Sequence, residues 1–302
     1  MYIIVTGGSG FLGSHVVEEL LRRGHDVGIF DLAPPRDYLE RQKGWRYVAG
    51  DLSDLSSLSS AFVDADAVCH LGGVGDVYLA ASEPFTAAQR NVVGTANVCE
   101  AALQRRVGQV VYASTWEVYG APCYQPIDEL HPRCPDHPYN ITKYAGELIA
   151  MSYDHLRGLP VLALRLGTAY GLRMRPNSVF SLFIKQALNG EPISIQGTGE
   201  QSRQFTHARD IARAFAMAAE SSVHGEALNT ASEESVTIRA LAELVSRQIP
   251  TRTIFTPSRS GDIIPSRVTS KKAFDVLGWR AEVGFEEGLQ EIIDVAREKS
   301  PK

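Results

Sequence analysis

Short runs of β-branched and other apolar residues alternate with longer segments of helical period along the first half of the chain. The apolar runs cover residues 3–6, 26–30, 45–48, 66–71, 109–113 and 161–165. Runs of this kind are typical of strands that are buried on both faces of a parallel sheet. The pattern therefore predicts an α/β fold whose doubly wound parallel sheet is covered by helices on both faces.

The pattern changes at about residue 168. Helical segments near residues 178–188, 211–220, 238–248 and 285–297 alternate there with short strands and arginine-bearing loops. We therefore predict a larger domain over residues 1–167 and a smaller C-terminal α/β substrate domain over residues 168–302. The second domain is expected to share elements with the first.

A glycine-rich loop follows the first apolar run and leads into a helical segment. Its binding candidates are Gly7, Gly10, Phe11, Leu12 and Gly13. Glycines at this spacing allow a tight turn, a close approach of a pyrophosphate to the backbone, and close packing of helix on strand. The phosphates would then lie at the positive end of the helix. The loop predicts that residues 1–167 form a Rossmann-type dinucleotide-binding domain.

Asp31 ends the second apolar run, where a carboxylate can accept hydrogen bonds from a ribose 2′-hydroxyl and repel a 2′-phosphate. The predicted cofactor is therefore NAD rather than NADP. Gly72 and Gly73 follow a later strand and would let the cofactor pass close to the backbone. Asp51 has two open roles, a contact with the adenine amino group or the N-cap of the helix that begins near Leu55.

The middle of the chain carries polar residues suited to chemistry on an alcohol. Ser114 and Thr115 stand at the carboxyl end of the fifth apolar run, the edge at which open α/β sheets bind ligands. Tyr139 and Lys143 follow on a helix for which Asp136 is the predicted N-cap, and their i, i+4 spacing puts them on one face. A lysine beside a tyrosine favours the phenolate, which can take a proton from an alcohol while the cofactor takes the hydride.

Composition narrows the class of protein and its partners. The formal net charge of −5 gives no basic footprint for nucleic acid or an anionic membrane. No apolar run reaches the ~18 residues of a membrane span, and Met1 leads directly into a strand rather than into a signal peptide. The four cysteines show neither Cys-x-x-Cys nor disulfide-framework spacing. We therefore expect a cytoplasmic protein with reduced thiols and no metal site.

Taken together, these motifs resemble the extended short-chain dehydrogenase/reductase family, in its nucleotide-sugar epimerase and dehydratase branch. The resemblance covers nearly all of the chain. It is carried by Asp31 and by residues 6–13, 51–52, 70–71, 91–95, 114–120, 139–143, 203–210, 259–262 and 277–279. It implies tightly bound NAD, a nucleoside diphosphate sugar as substrate, and a reaction that begins with oxidation at C4 of the sugar. It also implies a homodimer paired through helices near residues 84–106 and 138–156.

The resemblance also extends the two binding sites. It adds Leu52, Leu71, Asn91 and Ser114 to the cofactor site, beside Tyr139 and Lys143, and Asn91 is expected to brace the sheet there. The substrate candidates are Thr115, Trp116, Glu117, Thr168, Arg173, Ile195, Arg203, Arg259 and Arg267. The arginines are expected at the diphosphate because a planar guanidinium binds two oxygens at once. Ile195 is expected against the nucleobase.

Two departures from the family pattern concern the sugar. Many 4,6-dehydratases carry an Asp that protonates the leaving hydroxyl at the position of Trp116, whose indole donates a hydrogen bond but no proton near neutral pH. Thr168 stands where relatives usually carry Asn. Glu117 has three open roles, as a base toward C5, as a polar clamp on the sugar, or as a residue that orients the loop.

We therefore predict an NAD-dependent nucleotide-sugar 4-epimerase, because return of hydride to the other face of a 4-keto sugar needs no acid at position 116. The alternatives are a nucleotide-sugar dehydratase, a decarboxylase of the UDP-glucuronate type and a 4-keto-sugar reductase. Outside catalysis, the alternative is a dinucleotide-binding sensor or scaffold. The presence of Thr115, Tyr139 and Lys143 together favours an enzyme.

Overall fold

The computed structural model describes residues 1–35, 37–39, 42–257 and 266–299. The strands are β1 (Tyr2–Thr6), β2 (Asp26–Asp31), β3 (Trp45–Ala49), β4 (Ala67–His70), β5 (Gln109–Thr115), β6 (Val161–Leu166), β7 (Thr168–Tyr170), β8 (Ile193–Gln196), β9 (Ser202–Arg203), β10 (Phe205–His207), β11 (Glu226–Thr230), β12 (Val236–Thr237) and β13 (Thr253–Thr256). The helices are α1 (Phe11–Arg22), α2 (Leu55–Ala61), α3 (Val77–Ser82), α4 (Pro84–Ala88), α5 (Gly94–Gln104), α6 (Pro138–Arg157), α7 (Val179–Leu188), α8 (Ala208–Glu220), α9 (Ile238–Gln248), α10 (Lys271–Leu277) and α11 (Phe285–Lys299).

A seven-stranded parallel sheet forms the centre of the first part of the molecule. Its order is β11-β6-β5-β4-β1-β2-β3, so the strand order reverses between β1 and β4. In doubly wound sheets, ligands bind at the carboxyl ends of the strands beside such a reversal. The predicted fold class, a Rossmann-type doubly wound α/β sheet, is confirmed.

Apolar side chains cover both faces of this sheet. One face packs on α1 and α8 through residues such as Val16, Leu20 and Phe215, and the other packs through residues such as Leu58 and Val98 of α2 and α5. Because both faces are buried, the strands need no polar alternation, which explains their continuous apolar runs.

The second part of the molecule is smaller and is built on short strand pairs. These are β7 with β10, β8 with β13, and β9 with β12, and an apolar core that includes Phe180, Leu241 and Phe285 holds them against α7, α9 and α11. β11 returns from this half of the chain to pair with β6 in the large sheet. The predicted division at residue 168 stays a prediction, and the shared strand shows how closely the two parts are joined.

The helix expected over residues 84–106 is not uniform. α4 and α5 are joined by a π-helical turn at Gln89–Val93, which contains the buried Asn91. The Asn91 amide accepts a hydrogen bond from the Val74 amide at 2.8 Å and donates to the Val74 carbonyl at 3.1 Å. A single π turn inside an α-helix frequently marks a functional site, and this one turns Asn91 toward the loop after β4.

Among the described residues, no helix combines the length and the apolar character that a membrane crossing requires.

Candidate active site

The glycine-rich loop between β1 and α1 is too tightly packed for side chains at two positions. Gly7 has φ +72°, and a Cβ there would lie 2.7 Å from the Gly72 amide nitrogen. A Cβ on Gly13 would lie 2.0 Å from the Gly7 carbonyl oxygen. The loop therefore brings the ends of β1 and β4 together at the amino end of α1. Among the described residues, no N-cap side chain bonds the first turn of that helix, so its amides can bind an anion.

Asp31 at the end of β2 is held beside this loop. Its carboxylate accepts hydrogen bonds from the Ser9 amide at 3.0 Å and the Ala33 amide at 3.3 Å. The Ser9 hydroxyl donates to the Ala33 carbonyl at 2.6 Å, which joins the glycine-rich loop to the segment after β2. The negative charge thus stands next to the phosphate-binding turn, where the sequence predicts the adenosine ribose.

Asp51 lies in the turn between β3 and α2 and is not the residue that caps α2. The N-cap of α2 is Asp54, which accepts from the Ser57 amide at 3.1 Å, so Asp51 does not have the capping role that was one of its two open roles. Asp51 instead accepts from the Ser53 amide at 2.9 Å in a turn that comes before the helix. The Asp51–Leu52 turn follows β3, on the same edge of the sheet as the glycine loop.

Buried polar side chains hold the loop after β4 in place through hydrogen bonds to its backbone. Gly72 donates to the Thr6 hydroxyl at 3.2 Å, and Asn91 bonds both backbone groups of Val74 and the Thr142 hydroxyl. Asn91 therefore uses its amide on protein partners, and it supports the 71–74 loop rather than facing solvent. His70 lies between the Thr6 and Thr95 hydroxyls, and burial lowers its pKa to about 3, which makes it a neutral structural residue.

The helix that carries the catalytic candidates starts one residue later than expected. Pro138 is its first residue, so His137 is the N-cap, and its Nδ1 accepts from the Tyr139 amide at 3.1 Å. The predicted N-cap, Asp136, is wrong because proline favours the first helical position and leaves the cap to the residue before it. Asp136 accepts instead from the Asn140 side chain at 3.3 Å.

Tyr139 lies near Thr115 at the end of β5, and Lys143 follows Tyr139 by one turn on α6. The Thr115 hydroxyl lies close enough to the Tyr139 phenol to lower its pKa, but burial and the charge of Glu117 outweigh this and raise the pKa of Tyr139 well above its ordinary value. Lys143 is buried, with its ammonium 4.6 Å from the centre of the Tyr112 ring. Burial lowers the pKa of Lys143 to about 8, and the Glu147 carboxylate opposes that shift.

A buried ion pair beneath this group is the feature that sequence reasoning missed. Glu147 pairs with Arg165 at 2.6 Å, and both side chains are about 95% buried, with exposures of 4% and 5%. Glu147 also accepts from the Ser114 hydroxyl at 2.5 Å, and Arg165 donates to the Tyr119 hydroxyl at 2.8 Å. The sequence did contain one sign of this buried pair, because Glu147 lies four residues after Lys143 and therefore on the same face of the helix.

Three of the substrate candidates share one pocket. Trp116, Thr168 and Arg203 line it together with Ala231 and Val268. Trp116 is only 8% exposed, so its indole is part of the pocket wall. Burial and Asp136 raise the pKa of the neighbouring Glu117, and the Arg203 charge lowers it, with a net increase.

Three further substrate candidates, Arg173, Ile195 and Arg267, do not line this pocket. Arg173 pairs with Glu18 of α1. Ile195 is 1% exposed in the apolar core of the second part, so its side chain cannot contact a nucleobase. Arg267 is exposed, and its backbone bonds the segment at Ile127 next to the pocket wall. Arg259 lies outside the described residues.

A glycine-rich loop suited to a dinucleotide, with Thr115, Tyr139 and Lys143 on neighbouring elements, is typical of enzymes that move hydride to or from an alcohol. Residues 3–231 match the sequence profile of the NAD dependent epimerase/dehydratase family, and the chain belongs to that family. The NAD cofactor and the branch predicted from the sequence are thereby confirmed, and so is the prediction of an enzyme.

The chain is similar to family members of different activities. It is 31% identical to a putative UDP-glucose 4-epimerase of Methanocaldococcus jannaschii, over 97% of each chain. It is 29% identical to a dTDP-glucose 4,6-dehydratase of Streptomyces niveus, over 99% of this chain and 93% of the relative. The structure of MoeE5 with UDP-glucuronic acid and NAD superposes with a TM-score of 0.90 at 33% identity, over 99% of this chain and 100% of that chain.

Proposed function

We propose that this chain is an NAD-dependent nucleotide-sugar 4-epimerase that works through transient oxidation at C4. The cofactor candidates are the glycine loop with Phe11 and Leu12, Asp31, the Asp51–Leu52 turn, and the loop Leu71–Gly73. Their arrangement fits a dinucleotide, because the backbone is closely packed at Gly7 and Gly13 and the amino end of α1 is open. Bound NAD would supply a hydride acceptor that returns the same hydride.

Tyr139 is the proposed base. It lies against Thr115, whose hydroxyl can hydrogen-bond the same C4 oxygen and orient it. Burial alone disfavours the phenolate, so the positive charges of Lys143 and of the oxidised nicotinamide are what would bring the pKa of Tyr139 within reach. When hydride returns, Tyr139 gives the proton back to the C4 oxygen, and no net redox change results.

The observation that carries the choice of epimerase is Trp116. The position where dehydratases place a proton donor is filled here by an indole that is nearly buried in the pocket wall. An indole does not release a proton near neutral pH. Epimerisation needs only the C4 oxygen chemistry and room for the 4-keto sugar to present its other face.

The second candidate is chemistry at C5 that leads to loss of water or carbon dioxide. Glu117 favours it, because this carboxyl stands next to Trp116 and its raised pKa makes it a better base than an ordinary glutamate. The similarity to a dTDP-glucose 4,6-dehydratase keeps this candidate in view.

The nucleoside diphosphate sugar itself is part of the proposal. MoeE5 is shown with UDP-glucuronic acid, and the pocket here offers Arg203 and Thr168 as polar groups. For the assembly, a homodimer is supported by exposed apolar residues on α4, the π turn and α6, namely Phe85, Val93, Ile141 and Leu148. Their helices pack side by side and could meet the same helices of a second copy, in the cytoplasm.

A panel of nucleotide-sugars tests the function. The purified protein is incubated separately with UDP-glucose, UDP-glucuronic acid, UDP-N-acetylglucosamine and dTDP-glucose, and products are separated by chromatography and weighed by mass spectrometry. A new isomer of unchanged mass is expected from at least one sugar. A product that has lost water or carbon dioxide, with no isomer, would identify the second candidate instead.

A further inference from the structure

The segment between β7 and α7, residues 171–178, crosses from the second part of the molecule to the dinucleotide-binding part. We call it the strap. Its side chains alternate: Leu172 and Met174 pack against the apolar core of the second part, whereas Arg173 and Arg175 reach the first part. The segment is therefore attached to both parts at once.

One fastening lies on α1, the helix whose amino end forms the phosphate-binding turn. The Arg173 guanidinium donates to the Ser14 hydroxyl at 2.8 Å and pairs with Glu18, and it lies 4.7 Å over the Tyr38 ring. Tyr38 in turn donates to the Gly8 carbonyl at 2.9 Å. Arg173 is thus linked to the glycine loop through α1 and through Tyr38.

The second fastening lies at the amino end of α3, beyond the loop that follows β4. Arg175 pairs with Asp76, which caps α3 and follows the Gly72–Gly73 loop. Arg175 is also close enough to Tyr139 for its positive charge to lower the pKa of that phenol. Since Arg173 and Arg175 are two residues apart, the strap joins α1 to the amino end of α3.

The backbone of the strap is held in an unusual conformation. Arg173 has φ +64°, in the left-handed region that residues with a side chain rarely adopt. Such a conformation persists when surrounding contacts determine it. The contacts here are the two ion pairs and a hydrogen bond of 2.9 Å between His15 Nε2 and the Leu172 carbonyl.

We propose that the strap retains the dinucleotide, with the pairs Arg173–Glu18 and Arg175–Asp76 as its two fastenings. A reaction that borrows a hydride and returns it requires that the cofactor stay in place until the sugar is reduced again. Arg173, which the sequence assigned to the sugar diphosphate, is in this account a cofactor-retaining residue. The inference rests on the proposed function only through its use of NAD.

The test changes the anchors and leaves both arginines intact. Glu18→Gln and Asp76→Asn remove one charge each, and Asn still caps a helix. Each protein is loaded with NADH, and the loss of bound-NADH fluorescence is followed after an excess of NAD is added, without any sugar. We expect release to be about threefold faster for each variant and about tenfold faster for the double variant, the range of partly exposed ion pairs.

Glu19→Gln is the matched control. It lies next to Glu18 on α1 and pairs with Arg22 and Arg23 rather than with the strap. Its release rate should equal that of the unmodified protein, and melting temperatures verify that all variants are folded. A double variant that releases NADH no faster than Glu19→Gln would overturn the proposal. Because no sugar is present, this result is independent of whether the panel of nucleotide-sugars yields an isomer.

Discussion

The cofactor end and the sugar end of this site are built by different means. At the cofactor end, the site is formed mainly by backbone atoms. Gly7 and Gly13 pack so closely that no side chain fits, and the Ser9 amide holds the Asp31 carboxylate in place. At the sugar end, side chains from distant segments form the wall, among them Trp116 of the loop after β5 and Arg203 of β9. In the proposed site, binding of the cofactor therefore depends on the backbone of the fold, and the outcome of the reaction depends on a few side chains.

The largest effect is expected where the two ends meet. Tyr139→Phe removes the phenol oxygen that exchanges a proton with the C4 hydroxyl, and kcat should fall by about 10²–10⁴, the range for loss of a general acid–base group. The variant should contain as much bound NAD as the unmodified protein. This is measured by denaturing each purified protein and quantifying the nucleotide that it releases. Full activity in this variant would refute the mechanism.

A methyl group at Gly13 is expected to disable the cofactor end alone. Its Cβ would lie 2.0 Å from the Gly7 carbonyl, and backbone cannot move aside as a flexible side chain would. Gly13→Ala should therefore lose most of its NAD, measured by equilibrium dialysis. Gly284→Ala is the control, because nothing lies within 4 Å of a Cβ at that position, and it should bind NAD as the unmodified protein does.

An acid in place of the indole would change the sugar end. Trp116→Asp puts a carboxyl where dehydratases carry one, and a small fraction of the product should then have lost water. Removal of a large buried side chain costs about 3–5 kcal/mol, so the melting temperature should also fall. Trp116→Phe, which keeps an aromatic wall but adds no acid, should form no dehydrated product. If Trp116→Asp retains 4-epimerase activity in full, the indole has no part in the choice of reaction.

The smallest effect on the reaction is expected from Glu147 of the buried Glu147–Arg165 pair, and it concerns the pH dependence of kcat. Protonated Lys143 supports the phenolate, and this support is lost as the pH rises through its pKa of about 8. Glu147→Gln removes a charge that raises that pKa, so the alkaline limb of the kcat profile should move to lower pH, by about one unit. Glu100→Gln, which alters a surface pair with Arg157, should leave the profile where it was.

The comparison between the two ends also explains how far the sequence could be read. Gly7, Gly13 and Asp31 lie within one continuous stretch, so their spacing predicts the local structure, and Tyr139 and Lys143 lie one helical turn apart. The fold followed from the alternation of apolar runs and helical periods. These features depend on residues that are close together in the sequence, so they can be predicted from the sequence of one chain.

Features that depend on distant contacts were not predictable in this way. Arg173 was assigned to the sugar diphosphate from its motif position, but the strap turns it toward Glu18, which is 155 residues away. Ile195 follows a strand pattern that does not reveal which face is buried. The Glu147–Arg165 pair joins α6 to β6, and only the register of β5 against β6 brings Ser114 and Arg165 together.

The proposed mechanism requires that hydride leave C4 and return to the same carbon within one site. The most direct measurement uses the sugar that the panel selects, prepared with deuterium at C4 and converted in ordinary water. The mechanism predicts an epimer that keeps the deuterium at C4, and, when the unlabelled sugar is converted in D2O instead, an epimer with no deuterium at C5, both detected by NMR and mass spectrometry. Loss of the deuterium from C4, or solvent exchange at C5 in the product, would contradict it.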